Sequence, residues 1–363
     1  MNIGIITTSR ADFGIYLPLI KAIEAEKGFN YFIFAGGMHT SDLFGNSYKL
    51  IEAHGLKVVE KLKTLYEGDS PEDIARSMGR TTEMYASIWK KYESKLDIVF
   101  ALGDRFEMIA AAMSITPFNI PLAHLHGGET TLGAIDNKYR HAITCMSEYH
   151  FTTNKVHAQK VSEIMGSKKN VYDVGALGVD SVLNMPLFTP KEFYDKFKFS
   201  IEQDYFLVTY HPETVNLGVN KKSIEEFIKV LKSQSIKTLC TLPNADTEGK
   251  VVREKLLQFE EKHPDKIKCF ENLGQKGYLT AMKHCTLMAG NTSSGIIESV
   301  AFNKPVVNIG DRQLGRLASN NVVHVKNTAS SIEEGIKSAM KLRGKKFTQI
   351  YGNGNTAKKI IEI

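Results

Sequence analysis

Asn119-Ile120-Pro121-Leu122-Ala123-His124-Leu125-His126-Gly127-Gly128-Glu129 decides the fold. Its apolar first half reads as a buried strand. Its second half reads as a strand-to-helix connection, followed closely by Ile135-Asp136 and by Arg140-His141 on the next helix. Three imidazoles, two carboxylates and a guanidinium thus crowd one connection. A short apolar strand that feeds a helix is the repeating unit of a parallel α/β sheet. In open α/β sheets ligands bind outside the carboxyl ends of the strands. A titratable cluster at such a place reads as a proton-transfer site. Gly127 and Gly128 let the backbone come close to a bound molecule.

The same alternation runs outward from this stretch. Strands are expected at 3–7, 31–35, 98–102, 122–126, 150–153 and 171–174, the last closing the first sheet. The clearest helix is expected at 70–95. There Ser70 is the N-cap, Pro71 the first helical residue and Asp73 the partner in a capping box. The second half restarts the rhythm, with strands at 205–210, 237–242, 266–270, 286–289, 305–309 and 322–325. Its helices are expected near 223–232, 250–262, 277–284 and 331–342. Pro186 and Pro190 break the pattern and mark the boundary. The fold class is therefore α/β, with two Rossmann-like doubly wound domains, 1–180 and 181–344, facing a central cleft.

Bulk composition fits this reading. The chain has 363 residues, enough for roughly two domains. Hydrophobic residues make up 42% and charged residues 24%, as in ordinary globular proteins. A net charge of +6 suits an anionic small molecule, and no basic stripe interleaved with aromatics points to nucleic acid. The four cysteines are far apart and form no Cys-x-x-Cys pair, so no thiolate metal site or redox motif is expected. Each is expected to pack as a small apolar residue. The first residues lack the basic region of a signal peptide, and no stretch approaches the ~20 apolar residues of a membrane span. The expected location is the cytoplasm.

Several strand ends carry chemistry, each with a plainer alternative. Ser9-Arg10-Ala11-Asp12 stands where a dinucleotide fold would place its glycine fingerprint, which is absent, so NAD is not expected. Arg10 either holds a phosphate or pairs with Asp12. Asp104, in Gly103-Asp104-Arg105, is a helix cap or a catalytic carboxylate. His124 and His126, two apart on a strand, face one side. With Asp104 and Glu129 they would suit a metal. The competing reading is acid–base chemistry plus one structural histidine. Arg140 lies one turn after Asp136, either as part of the site or as a surface ion pair. His211 sits at the end of the strand that opens the second half. Gly290-Asn291-Thr292-Ser293-Ser294-Gly295 joins a strand to a helix and reads as a phosphate cradle. Glu298, about one turn on, can accept from a ribose diol, and Arg312 adds a guanidinium at the same sheet edge.

Taken in order, these motifs resemble those of the hydrolysing UDP-N-acetylglucosamine 2-epimerases, in the bacterial sialic- and legionaminic-acid branch. Pro243-Asn244-Ala245-Asp246-Thr247 and Asn308-Ile309-Gly310-Asp311-Arg312-Gln313 complete the set, which spans nearly the whole chain. The resemblance implies a GT-B fold in which the C-terminal helix, within 345–363, crosses back to the first domain. It implies elimination of UDP through a 2-acetamidoglucal and rehydration to N-acetylmannosamine, with no cofactor and no metal. Asp104, Asp136 and His211 match family catalytic positions, with Arg140 as partner. His126 falls where non-hydrolysing relatives carry Glu, and acid and base are divided among Asp104, His126, Glu129 and Asp136. Arg10, Arg105, His211, Asn244, Thr292, Ser293, Glu298 and Arg312 match UDP contacts. Thr8, Asn137 and Thr292 depart from the usual family residues. A homodimer or homotetramer is implied.

Other functions compete with this one. The same reaction on UDP-2,4-diacetamido-2,4,6-trideoxyglucose is not separated by the sequence. A GT-B glycosyltransferase would share the nucleotide half, and a nucleotide-sugar sensor would bind UDP without turnover.

Overall fold

The computed structural model describes residues 1–244 and 246–363. The chain packs as two compact units. The first comprises Met1–Glu129, Asp136–Ser181 and Tyr351–Ile363, and the second Thr130–Ile135 and Val182–Ile350. The short segment Thr130–Ile135 joins the second unit through backbone bonds such as Leu132 N–H to the Leu314 carbonyl at 2.9 Å. Nothing in the sequence periodicity marks that exchange.

The first unit is built on seven parallel strands: β1 (Asn2–Thr7), β2 (Asn30–Ala35), β3 (Val58–Lys61), β4 (Ile98–Leu102), β5 (Leu122–Leu125), β6 (Tyr149–Thr152) and β7 (Val171–Asp173). Their order is β3-β2-β1-β4-β5-β6-β7. β3 is absent from the sequence reading. It is a four-residue edge strand, half charged and only partly buried, so it lacks the apolar run that identifies its neighbours. The helix Pro71–Tyr92 forms with the expected capping box at Ser70 and Asp73. Its Tyr85, Ile88, Trp89 and Tyr92 fall at i, i+3, i+4 and i+7 and line one buried stripe against Phe34, Val99 and Met108.

The second unit has six parallel strands: β8 (Tyr205–Thr209), β9 (Lys237–Thr241), β10 (Ile267–Phe270), β11 (Leu287–Gly290), β12 (Val306–Ile309) and β13 (Val322–Val325). Their order is β10-β9-β8-β11-β12-β13. β8 shows why its sequence is apolar without alternation. Phe206 and Val208 pack on one face with Phe227 and Leu256, while Tyr205 and Leu207 pack on the other with Phe193 and Met288. A parallel strand covered on both sides needs this. Among the described residues no helix is long and apolar enough to cross a membrane.

In each sheet the strand order reverses once, between β1 and β4 and between β8 and β11. Such switch points open a crevice at the carboxyl ends of the flanking strands. Arg10 and Asp104 follow the first pair, and His211 and Thr292 follow the second.

The last helix, Thr356–Glu362, packs in the first unit against the helix Arg10–Ala25. Its own cap residue supplies no side-chain bond. Instead buried Asp180 accepts from the Thr356 and Ala357 backbone N–H groups at 3.0 and 2.8 Å. An anion at a helix N-terminus is stabilising, and buried N–H groups left unanswered are costly. Asp180→Ala is therefore expected to lower stability by about 2 kcal/mol, read as a lower urea midpoint. An unchanged midpoint would show that Asp180 does not anchor this helix.

Candidate functional site

The first unit gathers its polar side chains at the ends of β4 and β5. Arg140, only 1% exposed, lies on the helix Asp136–Cys145. Its Nη2 forms an ion pair with Asp104, and its Nη1 donates to the Glu129 carbonyl at 2.9 Å. This guanidinium thus ties the ends of both strands to one helix. Arg140 is buried, so it is not an exposed surface side chain. Asp136 is the half-buried first residue of the helix. Asp104 is no helix cap, because that position falls to Arg105.

His124 and His126 do not share a face. β5 ends at Leu125, and His126 adopts a left-handed backbone with φ +66°. The strand alternation assumed for the pair stops one residue too early. His124 is the structural histidine of the two. Its Nε2 donates to the Gly103 carbonyl at 2.8 Å, and its Nδ1 accepts from the Thr144 hydroxyl at 3.0 Å. Burial drives its pKa down to about 3, so the ring is neutral. His150, its neighbour on β6, is pushed down to about 4 by burial.

His126 is placed differently. Its Nδ1 lies 3.0 Å from Glu129 Oε1, which fixes the proton on Nδ1 because a carboxylate only accepts. Its Nε2 is buried and has no hydrogen-bond partner among the described residues. Glu129 Oε1 also accepts from Thr153 Oγ1 at 3.2 Å. Gly128, at φ +80°, packs so closely on the His157 carbonyl that a Cβ would lie 2.4 Å from it. Here the glycine serves packing inside the protein, which the sequence reading had assigned to a bound molecule.

The other expected residues of this unit follow β1 and β4. Arg10 opens the helix Arg10–Ala25. The carboxylate of Asp12 is taken by local donors instead: Thr8 N at 2.9 Å, Thr8 Oγ1 at 2.8 Å and Ser9 N at 3.1 Å. Burial alone would raise its pKa, but the His39 imidazole and the Thr7 and Thr8 donors outweigh that and hold it below the ordinary value. Arg105 clasps buried Glu107 through Nε and Nη2, at 3.1 and 3.2 Å.

In the second unit the strands deliver their residues to one edge. Asn291 zips the end of β11 to the end of β8: its side chain accepts from His211 N at 2.7 Å and donates to the His211 carbonyl at 2.8 Å. His211 Nδ1 and Arg312 Nη2 lie 4.0 and 3.7 Å from the same carboxylate oxygen of Asp246. Gln313 donates to the Asn291 carbonyl at 2.9 Å. Asn244 follows β9 half-buried, next to Ala245, which lies outside the described residues. Thr292 is the N-cap residue of the helix Ser293–Ile297, and Glu298 is its buried C-cap residue. This helix has five residues, so its dipole is weaker than that of a full-length helix. Hydroxyls gather at its start: Thr292 Oγ1 meets Ser294 Oγ at 3.3 Å, and Ser294 Oγ meets the hydroxyl of the partly buried Tyr278. Gly290, at φ +138°, would put a Cβ 2.0 Å from the Thr209 carbonyl oxygen, so no other residue fits there.

The structure therefore joins His126, Glu129, Arg140 and Asp104 by direct contacts, and His211 to Arg312 through Asp246. Asp246, Asn291 and Gln313 had been quoted only as parts of motifs. Thr153 and His157 were missed entirely. Their one sequence signal is a Thr-Asn pair at a strand end, which resembles any helix start. Among the described residues no three His, Cys, Asp or Glu side chains converge as a metal site.

The buried imidazoles give a pH dependence of known sign. Unfolded histidine titrates near pH 6.5, whereas folded His124 resists protonation until about pH 3. In that window the unfolded state binds more protons, so stability falls as pH falls. For His124 alone the loss between pH 6.5 and pH 5 is roughly 2 kcal/mol. Melting curves across this range should fall with pH, and more shallowly in His124→Asn. An identical slope in the variant would reject the assignment.

Comparison with known proteins shows the family. The family model described as UDP-N-acetylglucosamine 2-epimerase matches residues 21–363. The chain is 34% identical to the GDP/UDP-N,N′-diacetylbacillosamine 2-epimerase (hydrolyzing) of Campylobacter jejuni, covering 96% of this chain and 89% of that one. It is 30% identical to the UDP-N,N′-diacetylbacillosamine 2-epimerase (hydrolyzing) of Legionella pneumophila, covering 99% and 94%. The solved structure of Methanocaldococcus jannaschii UDP-GlcNAc 2-epimerase, in complex with UDP-GlcNAc and UDP, superimposes with a TM-score of 0.81. Identity there is 18%, over 100% of this chain and 99% of that one, so this likeness speaks for the fold, a GT-B-type pair of Rossmann-like domains. By its sequence match over most of its length, the chain belongs to the UDP-N-acetylglucosamine 2-epimerase family.

Proposed function

We propose that this chain is a hydrolysing UDP-sugar 2-epimerase whose substrate is UDP-2,4-diacetamido-2,4,6-trideoxyglucose. The observation that carries the reaction is the His126–Glu129 pair, with a bare buried Nε2, in the unit that also holds the Asp104–Arg140 ion pair. Support for the sugar comes from the two relatives at 34% and 30% identity, whose names specify N,N′-diacetylbacillosamine, the same diacetamido-trideoxy sugar. A second reading, UDP-N-acetylglucosamine, is favoured by the description of the family. Both sugars carry the 2-acetamido group and the C2 proton, so the same steps serve either.

A base in the first unit takes the proton from C2. The C2–H electron pair becomes the C1–C2 double bond, and the C1–O bond breaks with its pair leaving on UDP. Water then adds across the double bond, hydroxyl at C1 and proton at C2 on the opposite face. Sugar nucleotide and water give UDP and the free manno-configured sugar, at unchanged oxidation level. The C2 proton is weakly acidic, so its base must be close and desolvated. Asp104, His126 and Asp136 are the groups we assign to proton transfer. Glu129 fixes the tautomer of His126, and Arg140 holds Asp104. The growing charge on the diphosphate calls for cations and N–H donors. To UDP we assign Arg10, Arg105, His211, Asn244, Thr292, Ser293 and Arg312, with Glu298 on the ribose. Four unpaired thiols fit a reducing cytoplasm.

NMR of the protein with each UDP-sugar in heavy water tests this reading. UDP and a free sugar with deuterium at C2 should appear, and the diacetamido substrate should be turned over at least tenfold more efficiently. The GDP-linked sugar belongs in the same assay, since the Campylobacter relative's name admits both nucleotides. Asp104→Asn and His126→Asn should each lower kcat by about 100-fold or more. A preference for UDP-N-acetylglucosamine would install the second reading. Transfer without deuterium at C2 would indicate a glycosyltransferase, and UDP binding with no turnover a sensor.

A further inference from the structure

His126 and Glu129 do not end their network at each other. Thr153, 1% exposed, directly follows β6 and donates to Glu129 Oε1 at 3.2 Å. The same hydroxyl lies 2.7 Å from Nδ1 of His157, in the first turn of the helix Lys155–Met165. Because the Thr153 proton goes to a carboxylate, its oxygen must accept, and His157 Nδ1 must donate. The chain therefore has one direction: His157 Nδ1–H to Thr153, Thr153 O–H to Glu129, and His126 Nδ1–H to Glu129. Every member is buried. His157 is itself held from several sides. Its backbone N–H caps onto Asn154 Oδ1 at 3.0 Å, its carbonyl packs under Gly128, and its ring faces Tyr351 at a centroid distance of 6.1 Å.

We propose that Thr153 and His157 are positioning residues that lock the Glu129 carboxylate and so keep the proton of His126 on Nδ1, leaving Nε2 as the basic nitrogen. This assignment rests on the epimerase reading for its kinetic consequence only. Two donors on one carboxylate oxygen fix its orientation, which a single contact to a mobile imidazole would not. The other titratable or charged groups around the pair are Asp104, Arg140, His124 and His150. Arg140 engages Asp104 and the Glu129 carbonyl, and His124 and His150 stay neutral by burial.

The experiment compares Thr153→Val, Thr153→Ser and His157→Phe in the full chain, after melting curves confirm folding. Thr153→Val keeps shape and removes the hydroxyl. It should lower kcat by about 10- to 100-fold with KM changed less than twofold, and Thr153→Ser should restore most of it. Losing a donor to the ionised form makes a carboxylate more basic. The acid limb of the kcat profile should therefore move to higher pH in Thr153→Val and His157→Phe. A nitrogen NMR spectrum of the His126 ring gives an answer independent of turnover: Nδ1–H in the parent and mixed tautomers in Thr153→Val. A parent ring protonated on Nε2, or a Thr153→Val spectrum identical to the parent's, would overturn the proposal. If the parent turns over no UDP-sugar while the tautomer behaves as expected, the functional reading fails and the positioning role stands.

Discussion

A guanidinium buried to 1% exposure must be answered by negative charge and oriented carbonyls, and Arg140 is answered by Asp104 and the Glu129 carbonyl. Removing one partner of a buried pair leaves an uncompensated charge, a loss of roughly 3–5 kcal/mol. Three segments that do not adjoin in sequence meet at this single side chain: the turn after β4, the turn after β5 and the helix that begins at Asp136. The polar geometry of the first unit follows. The Glu129 carbonyl is pinned, and its side chain meets His126 and Thr153. With Asp104 paired to Arg140, its carboxylate is held in place.

A wider constraint explains why such arrangements gather where they do. Parallel sheets send every strand's last carbonyl and the next helix's first N–H groups to one edge. Buried there, these groups need partners. Asp12 serves the turn after β1, His124 serves Gly103 after β4, and Asn291 serves His211 after β8. Glu213 likewise accepts from Asp311 N at 2.9 Å after β12. Many of the polar residues at the edge are thus structural. The residues left for chemistry are the ones whose remaining atoms this scaffold does not consume.

That distinction marks the limit of what the sequence could reveal. Apolar runs and caps were enough to read twelve of the thirteen strands, because both sheets are buried on two faces and lean on local composition. β3 escaped because an edge strand needs no such run. Residue identity placed His124, His126, Glu129, Asp136 and Arg140 on one connection and Asp104 at a neighbouring strand end. It did not show their partners, since these come from β6, from β4 and from a helix, at separations of tens of residues. Asp246, Thr153 and His157 are ordinary loop and helix-start residues until the fold brings them beside His211 and Glu129. The shared face assumed for His124 and His126 failed for a local reason: the strand stops between them.

The fate of those two histidines carries the argument one step further. Two imidazoles separated by one leucine become a neutral pillar and a ring with one open nitrogen, and the His126 dihedral sets them apart. At φ +66° the His126 backbone occupies a region that costs a non-glycine residue roughly 1–2 kcal/mol. Glycine would adopt it freely, and glycines occupy the next two positions. The cost is met only where the side chain itself is held, and here Glu129 Oε1 grips Nδ1 at 3.0 Å. That bond orients the ring but leaves Nε2 unsatisfied, which a purely structural side chain would avoid. A residue placed against its backbone preference, anchored on one nitrogen and left open on the other, has the form of a group awaiting a proton from outside the protein.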